Sequence, residues 1–253
     1  MCTAILSIRP GAPVLLAGYR DELVDRPWQP PGRHWADHPG LIGGRDLQAG
    51  GTWLAVAPQA RRVACVLNGR GTMAAAGTRR TRGVLPLQAA QDGKLDRDGL
   101  AAFDPFHLLS ADPDGAALWS WDGADLVQRD LAEGLHLVVN SGLAGQDEPI
   151  DLEHERARIE HFLPRFNAAP RPDPQPRGPV GAAWSAWLPL LNGDGLAPGD
   201  PHALIVRRAL DGGRIWGTTS VSLVALGPAG LRYDFTAAPG DPAGWYQVPV
   251  EPR

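Results

Sequence analysis

The chain has 253 residues, enough for one large domain or two small ones with a sizeable buried core, and 43% apolar with 21% charged residues is ordinary for a globular protein. A formal net charge of -4 gives no general attraction to nucleic acid or to an anionic membrane surface. The 31 glycines and 25 prolines are scattered between apolar runs, which marks turns in a strand-rich fold, and two cysteines, Cys2 and Cys65, do not make a disulfide framework.

In chain order, "CTAILSI" (Cys2 to Ile8) and "PVLLAGY" (Pro13 to Tyr19) are β-leaning runs around the turn chemistry of "RPGA", so they predict a hairpin. A polar, Pro-rich loop is expected from Arg20 to about Gly40, then a second strand pair in "GGTWLAVAP" and "RRVACVLN". Residues 69–105 are rich in Gly, Arg and Asp, with one short helix expected near Asp96–Phe103. "FHLLSAD", "AALWSWDG" and "GLHLVVNSG" predict three strands, with turns at "PDG" and around Asp122–Ala124. "DLEHERARIEHFLPRF" predicts a helix with Ile159, Phe162, Leu163 and Phe166 on one face and the charges opposite. "VGAAWSAWLPLL" is a second helix, and "HALIVRRAL", "RIWGTTSVSLVALG" and "LRYDFTAA" close the chain as strands. Strands, then helices, then hairpin strands predict one α+β layered domain over 1–253 with largely antiparallel sheets.

No GxGxxG follows a strand, and there is no Walker loop and no CxxC or HExxH spacing, so neither a cofactor nor a metal is expected. His34, His38, His107 and His136 read as surface or structural residues. The apolar start is cut by Arg9, Pro10 and Gly11, and no run approaches the roughly 18 apolar residues of a membrane span, which predicts a cytoplasmic chain with reduced thiols.

Position 2 carries the chemistry. Removal of Met1 would leave Cys2 with a thiol and a free α-amine on one residue. The amine, with an ordinary pKa of about 7.7–8.0, can take the proton of a thiol near 8.5, so one residue becomes both nucleophile and base. Such an amine needs an orienting carboxylate. "YRDE" offers Arg20, Asp21 and Glu22 at the end of the strand that pairs with the Cys2 strand. The competing reading of "RDE" is a solvated charge cluster on a turn. Cys65, among apolar neighbours, is expected to be buried and inert.

"MC" at 1–2, "YRDE" at 19–22, "RPW" at 26–28, "LIGGRDLQAGGTWLAV" at 41–56 and "VVNSG" at 138–142 together resemble the NRDE family, also known as the transport-and-Golgi-organisation family. The resemblance covers roughly residues 1–70, with echoes at 138–142 and in "WGTTS" at 216–220. It implies a four-layer αββα fold of the N-terminal nucleophile hydrolase type. It also implies Cys2 as nucleophile, Asp21 as the carboxylate that orients its amine, Arg20 beside it, and Asn68 and Asn140 as oxyanion or substrate-orienting amides. Either asparagine is equally readable as a strand-end cap. Two residues depart from the family pattern at positions expected to touch substrate: Tyr19 replaces the first Asn of the motif, and Thr219 replaces the Arg of "GTRS". The glycines of "GGRD" and "GGTW" are read as turn residues, with Trp53 in the core.

Two functions follow from these readings. One is an amidohydrolase or acyltransferase that cleaves a C–N amide bond of a small molecule through a Cys2 thioester. The other is a non-catalytic binding or trafficking protein, for example one handling haem through a thiolate. The absence of a Cys-Pro dipeptide favours the first, and neither reading fixes the oligomeric state.

Overall fold

In the computed structural model, which describes residues 2–146, 150 and 152–251, the first hairpin forms as expected but runs longer. Strand β1 (Thr3–Ile8) pairs antiparallel with β2 (Val14–Leu23), and β2 continues through "YRDE" instead of ending before it. The extension is held by a distant strand, described below, and it turns the expected charged turn into buried strand: Arg20 is 4% exposed and Asp21 3%.

The chain then builds one of two compact units, residues 27–132 with 250–253. Its sheet is an antiparallel meander in sequence order: β3 (Trp28–Gly32), β4 (Ile42–Asp46), β5 (Leu54–Ala57), β6 (Arg62–Asn68), β7 (Phe106–Asp112), β8 (Gly115–Trp121) and β9 (Leu126–Leu131). Helix α1 (Leu85–Asp92) packs Leu85, Leu87, Ala89 and Ala90 into a core with Ala55, Ala64, Phe106 and Leu108. The helix expected near Asp96–Phe103 is only a 3-10 turn at Leu100–Ala102. Of the signature glycines, Gly50 has a positive φ of 78° and serves a turn. Gly43 and Gly44 serve close approach: a Cβ would lie 2.4 Å from the Leu54 carbonyl oxygen at the first and 2.2 Å from the Trp53 ring at the second. Trp53 is half-buried, laid over Gly44 and edge-on to Trp28.

The other unit comprises residues 1–26 and 133–249. After the hairpin it resumes with β10 (Gly134–Val139) and β11 (Gly142–Leu143), followed by α2 (Glu153–Ala168). Asp151, expected to open that helix, lies outside the described residues. The predicted second helix is broken into α3 (Val180–Trp184), a 3-10 turn and α4 (Leu188–Leu191), because Ser185 sits at φ 35°, ψ -115°. Strands β12 (Arg207–Ala209), β13 (Ile215–Gly227), β14 (Gly230–Thr236) and β15 (Trp245–Gln247) complete the unit. The sheet order is β11-β10-β1-β2-β13-β14-β15, with β12 on β13 and all pairs antiparallel. Ile5, Leu15, Ala17, Val221 and Leu223 on one sheet face pack with Phe162 and Phe166 of α2 and with Trp184 and Trp187. The α+β architecture with two mostly antiparallel sheets expected from the sequence is the one observed.

Candidate functional site

Strand register brings the site residues of this unit together. Thr3 pairs with Tyr19, and Ala4 pairs with Val138. Continuing those ladders puts Cys2 opposite Arg20 on one side and opposite Asn140 on the other, while Arg20 pairs with Ser220 of β13. Residues opposite one another share a sheet face, so Asn140, Cys2, Arg20 and Ser220 form one row across four strands. Thr3, Tyr19 and Asp21 occupy the other face, over which α2 lies: the Arg158 guanidinium donates from Nη1 to Thr3 Oγ1 at 2.6 Å, and Tyr19 belongs to the Phe162–Phe166 core.

The backbone nitrogen of Cys2 donates to Asn140 Oδ1 at 3.0 Å, and its Sγ lies 4.0 Å from the Asp21 carbonyl oxygen. The residue is half-buried, and desolvation raises the thiol above its ordinary value. Asp21 also repels a thiolate, whereas Arg20 favours one. Burial thus favours the neutral thiol over the thiolate.

Asp21 accepts a 2.7 Å hydrogen bond from the Thr218 hydroxyl on Oδ1, and its buried Oδ2 has no partner among the described residues. Burial raises this carboxyl above its ordinary 3.8; the Arg158 charge and the Thr218 bond act the other way. Thr218 Oγ1 also accepts from the Val206 amide at 3.0 Å, which fixes the hydroxyl's direction. Thr219 is the extra residue of a β-bulge: Thr218 pairs with Asp21 and Ser220 with Arg20, leaving Thr219 out of the ladder. Its hydroxyl accepts from Arg20 Nη1 at 2.9 Å and donates to the Arg20 carbonyl at 3.2 Å. Ser220 is fully buried on the row that holds Cys2, and its Oγ has no partner among the described residues.

The other sequence-derived residues are placed differently. Tyr19 is 2% exposed and donates its hydroxyl to the Leu191 carbonyl at 2.9 Å, so it is engaged in the core. Asn68 ends β6 in the other unit and is exposed. Cys65, on the same strand, is buried opposite Leu54 and Leu109. Among the histidines, His107 is buried and bonds Ser120 Oγ through Nδ1, and His34 Nε2 meets the Pro30 carbonyl. No group of three or more His, Cys, Asp or Glu among the described residues has the arrangement of a metal site.

Sequence reasoning missed two residues, Glu155 and Arg158. Their charge placed them on the solvent side of α2, yet they are 0% and 1% exposed. Positions 155, 158, 162 and 166 follow one helical stripe, and Phe162 and Phe166 continue it, so the spacing held the signal that residue polarity obscured. Glu155 Oε2 accepts from the Ser141 amide at 3.1 Å, next to Asn140; Arg158 also donates from Nε to the Ala203 carbonyl at 2.9 Å.

No helix among the described residues is long and apolar enough to cross a membrane. No curated protein matches the sequence. Residues 1–167 match the family described as Transport and Golgi organisation 2. That span carries Cys2, Arg20, Asp21 and Asn140 together with both strands that flank β1, and the chain belongs to the Transport and Golgi organisation 2 family.

Proposed function

We propose that this chain is an N-terminal cysteine hydrolase, of amidohydrolase or acyltransferase type, that acts on a C–N amide bond of a small molecule. The observation that carries the reading is the Cys2 nitrogen held by Asn140 beside a thiol flanked by Arg20 and Asp21. The reading requires loss of Met1, so that this nitrogen becomes an amine.

The amine takes the thiol proton as Sγ attacks the substrate carbonyl carbon, giving a tetrahedral oxyanion and an ammonium. Asn140 Oδ1 accepts from the Cys2 nitrogen, so the donor this side chain offers to the oxyanion is Nδ2. The ammonium returns its proton to the leaving nitrogen as the C–N bond breaks, leaving a thioester. Water, or another acceptor, then attacks the thioester carbonyl, gives its proton to the amine, and releases the thiolate, which is reprotonated.

The test combines intact-mass measurement with an electrophilic acyl probe. Met1 is expected to be absent, and the probe to acylate Cys2 on the intact chain. With a panel of small N-acyl amides, Cys2→Ala is expected to lower turnover by about 10³-fold or more, and Asn140→Ala by about 10²–10³. Met1 retained on most molecules would sink the mechanism. Visible absorbance that shifts on haemin addition and is lost in Cys2→Ala, with no acylation, would support the binding-protein reading instead.

A further inference from the structure

We propose that Glu155 and Arg158 of α2 are positioning residues for the thiol site, each pinning the end of one strand that carries a site residue. The proposal rests on the nucleophile reading of Cys2. Glu155 grips the Ser141 amide, one residue beyond Asn140, and Arg158 grips the Thr3 hydroxyl, one residue beyond Cys2. Asn140 and Cys2 are themselves joined by the 3.0 Å bond, so the helix closes a loop of contacts: Glu155, Ser141–Asn140, Cys2–Thr3, Arg158. Both grips come from residues three apart on one helix, one turn N-terminal to the Phe162–Phe166 anchor.

The energetics argue against a purely stabilising role. Taking each charge out of water costs several kcal/mol, and well-packed apolar residues at such positions are often as stable or more so. Here the compensation is incomplete: Glu155 Oε1 and Arg158 Nη2 are buried without partners among the described residues. The charges facing Arg158 are Asp21 on β2, Glu155 on its own helix, Arg208 on β12, and the Cys2 thiolate when it forms. Arg158 therefore also supplies the cation that both Asp21 and the thiolate sense. Ser220 and Arg20 lie on the opposite sheet face and are not part of this grip.

Alkylation of the full-length protein by iodoacetamide, followed by peptide mapping, reads Cys2 and Cys65 in the same molecules. Thr3→Val and Glu155→Ala are expected to slow Cys2 roughly tenfold or more, while Thr3→Ser and Glu155→Gln restore it to within about threefold and Cys65 stays at its wild-type rate. Arg158→Met is expected to move the midpoint of the Cys2 rate against pH upward, because the thiolate loses a cation. Should the helix variants unfold and expose Cys65, the Thr3 pair decides alone, since it alters the grip from the strand side. Wild-type rates and pH profile in Thr3→Val, or failure of Thr3→Ser to rescue, would overturn the proposal. If wild-type Cys2 reacts no faster than Cys65, the nucleophile reading fails; if it reacts faster and Thr3→Val matches it, only the positioning role fails.

Discussion

Asp21 shows at the scale of one residue what burying a carboxyl does to stability. Its carboxyl is raised above 3.8, chiefly by burial, so between 3.8 and the raised value the folded chain keeps a proton that the unfolded chain has lost. Stability therefore falls as pH rises through that window and stays lower above it. Asp21→Asn removes the titrating group, and its Oδ1 can still accept from Thr218. The variant is expected to melt higher at pH 7, by about 2–4 °C for each kcal/mol regained in a chain of this size. The gain should vanish below about pH 3.8, while Cys2 alkylation quickens, because the thiolate loses a charge that repels it. Thermal melts across pH check the first part, and an equal or lower Tm at pH 7 would mean that the charge is stabilised in place. The residue pair was legible as a motif, because "YRDE" follows the Cys2 strand by one hairpin. Its burial was not legible, because the β13 residues that cover it lie about two hundred positions away in sequence.

At the scale of elements, the strands that the sequence concealed are those without apolar alternation. Strand β9, "LVQRDL", is the edge of its sheet and mostly exposed or half-buried, so it lacks the apolar alternation that reveals a strand. The β4 segment "IGGRD" reads as a turn because of its glycines, yet Gly43 and Gly44 sit inside a strand and let Leu54 and Trp53 close on it. Gly43→Ala would drive a methyl into the backbone carbonyl of Leu54, which cannot swing aside as a side chain would. A loss of about 1–3 kcal/mol by urea unfolding is expected, and an unchanged midpoint would show that β5 can yield. Helix α2 was legible in place and length from its Phe162 and Phe166 period, but the assumption that charge means solvent hid Glu155 and Arg158.

At the scale of the whole molecule, the family match ends at residue 167, whereas β13, the strand between β2 and β14, spans Ile215–Gly227. The strand beside β1 thus depends on chain that the match does not reach. A chain ending at residue 167 is expected to leave the β2 amides that face β13 without protection, read by hydrogen exchange, and to lose the preferential alkylation of Cys2. Full protection of β2 in that truncation would show that β1 and β2 are held without β13. The α+β class was legible because it needs only element types in order; the strand order was not, since it joins residues 3–23 to 134–139 and 215–227.

The bulge at Thr219 also bears on how such a protein can diverge. A residue left out of the ladder has no cross-strand partner whose fit it must preserve, so its side chain can change while the pairs on either side, Thr218 with Asp21 and Ser220 with Arg20, keep their register. Position 219 touches Arg20 directly, one strand away from the thiol. It is a place where the side chain that faces Arg20 can be exchanged without moving the register of β2 on β13.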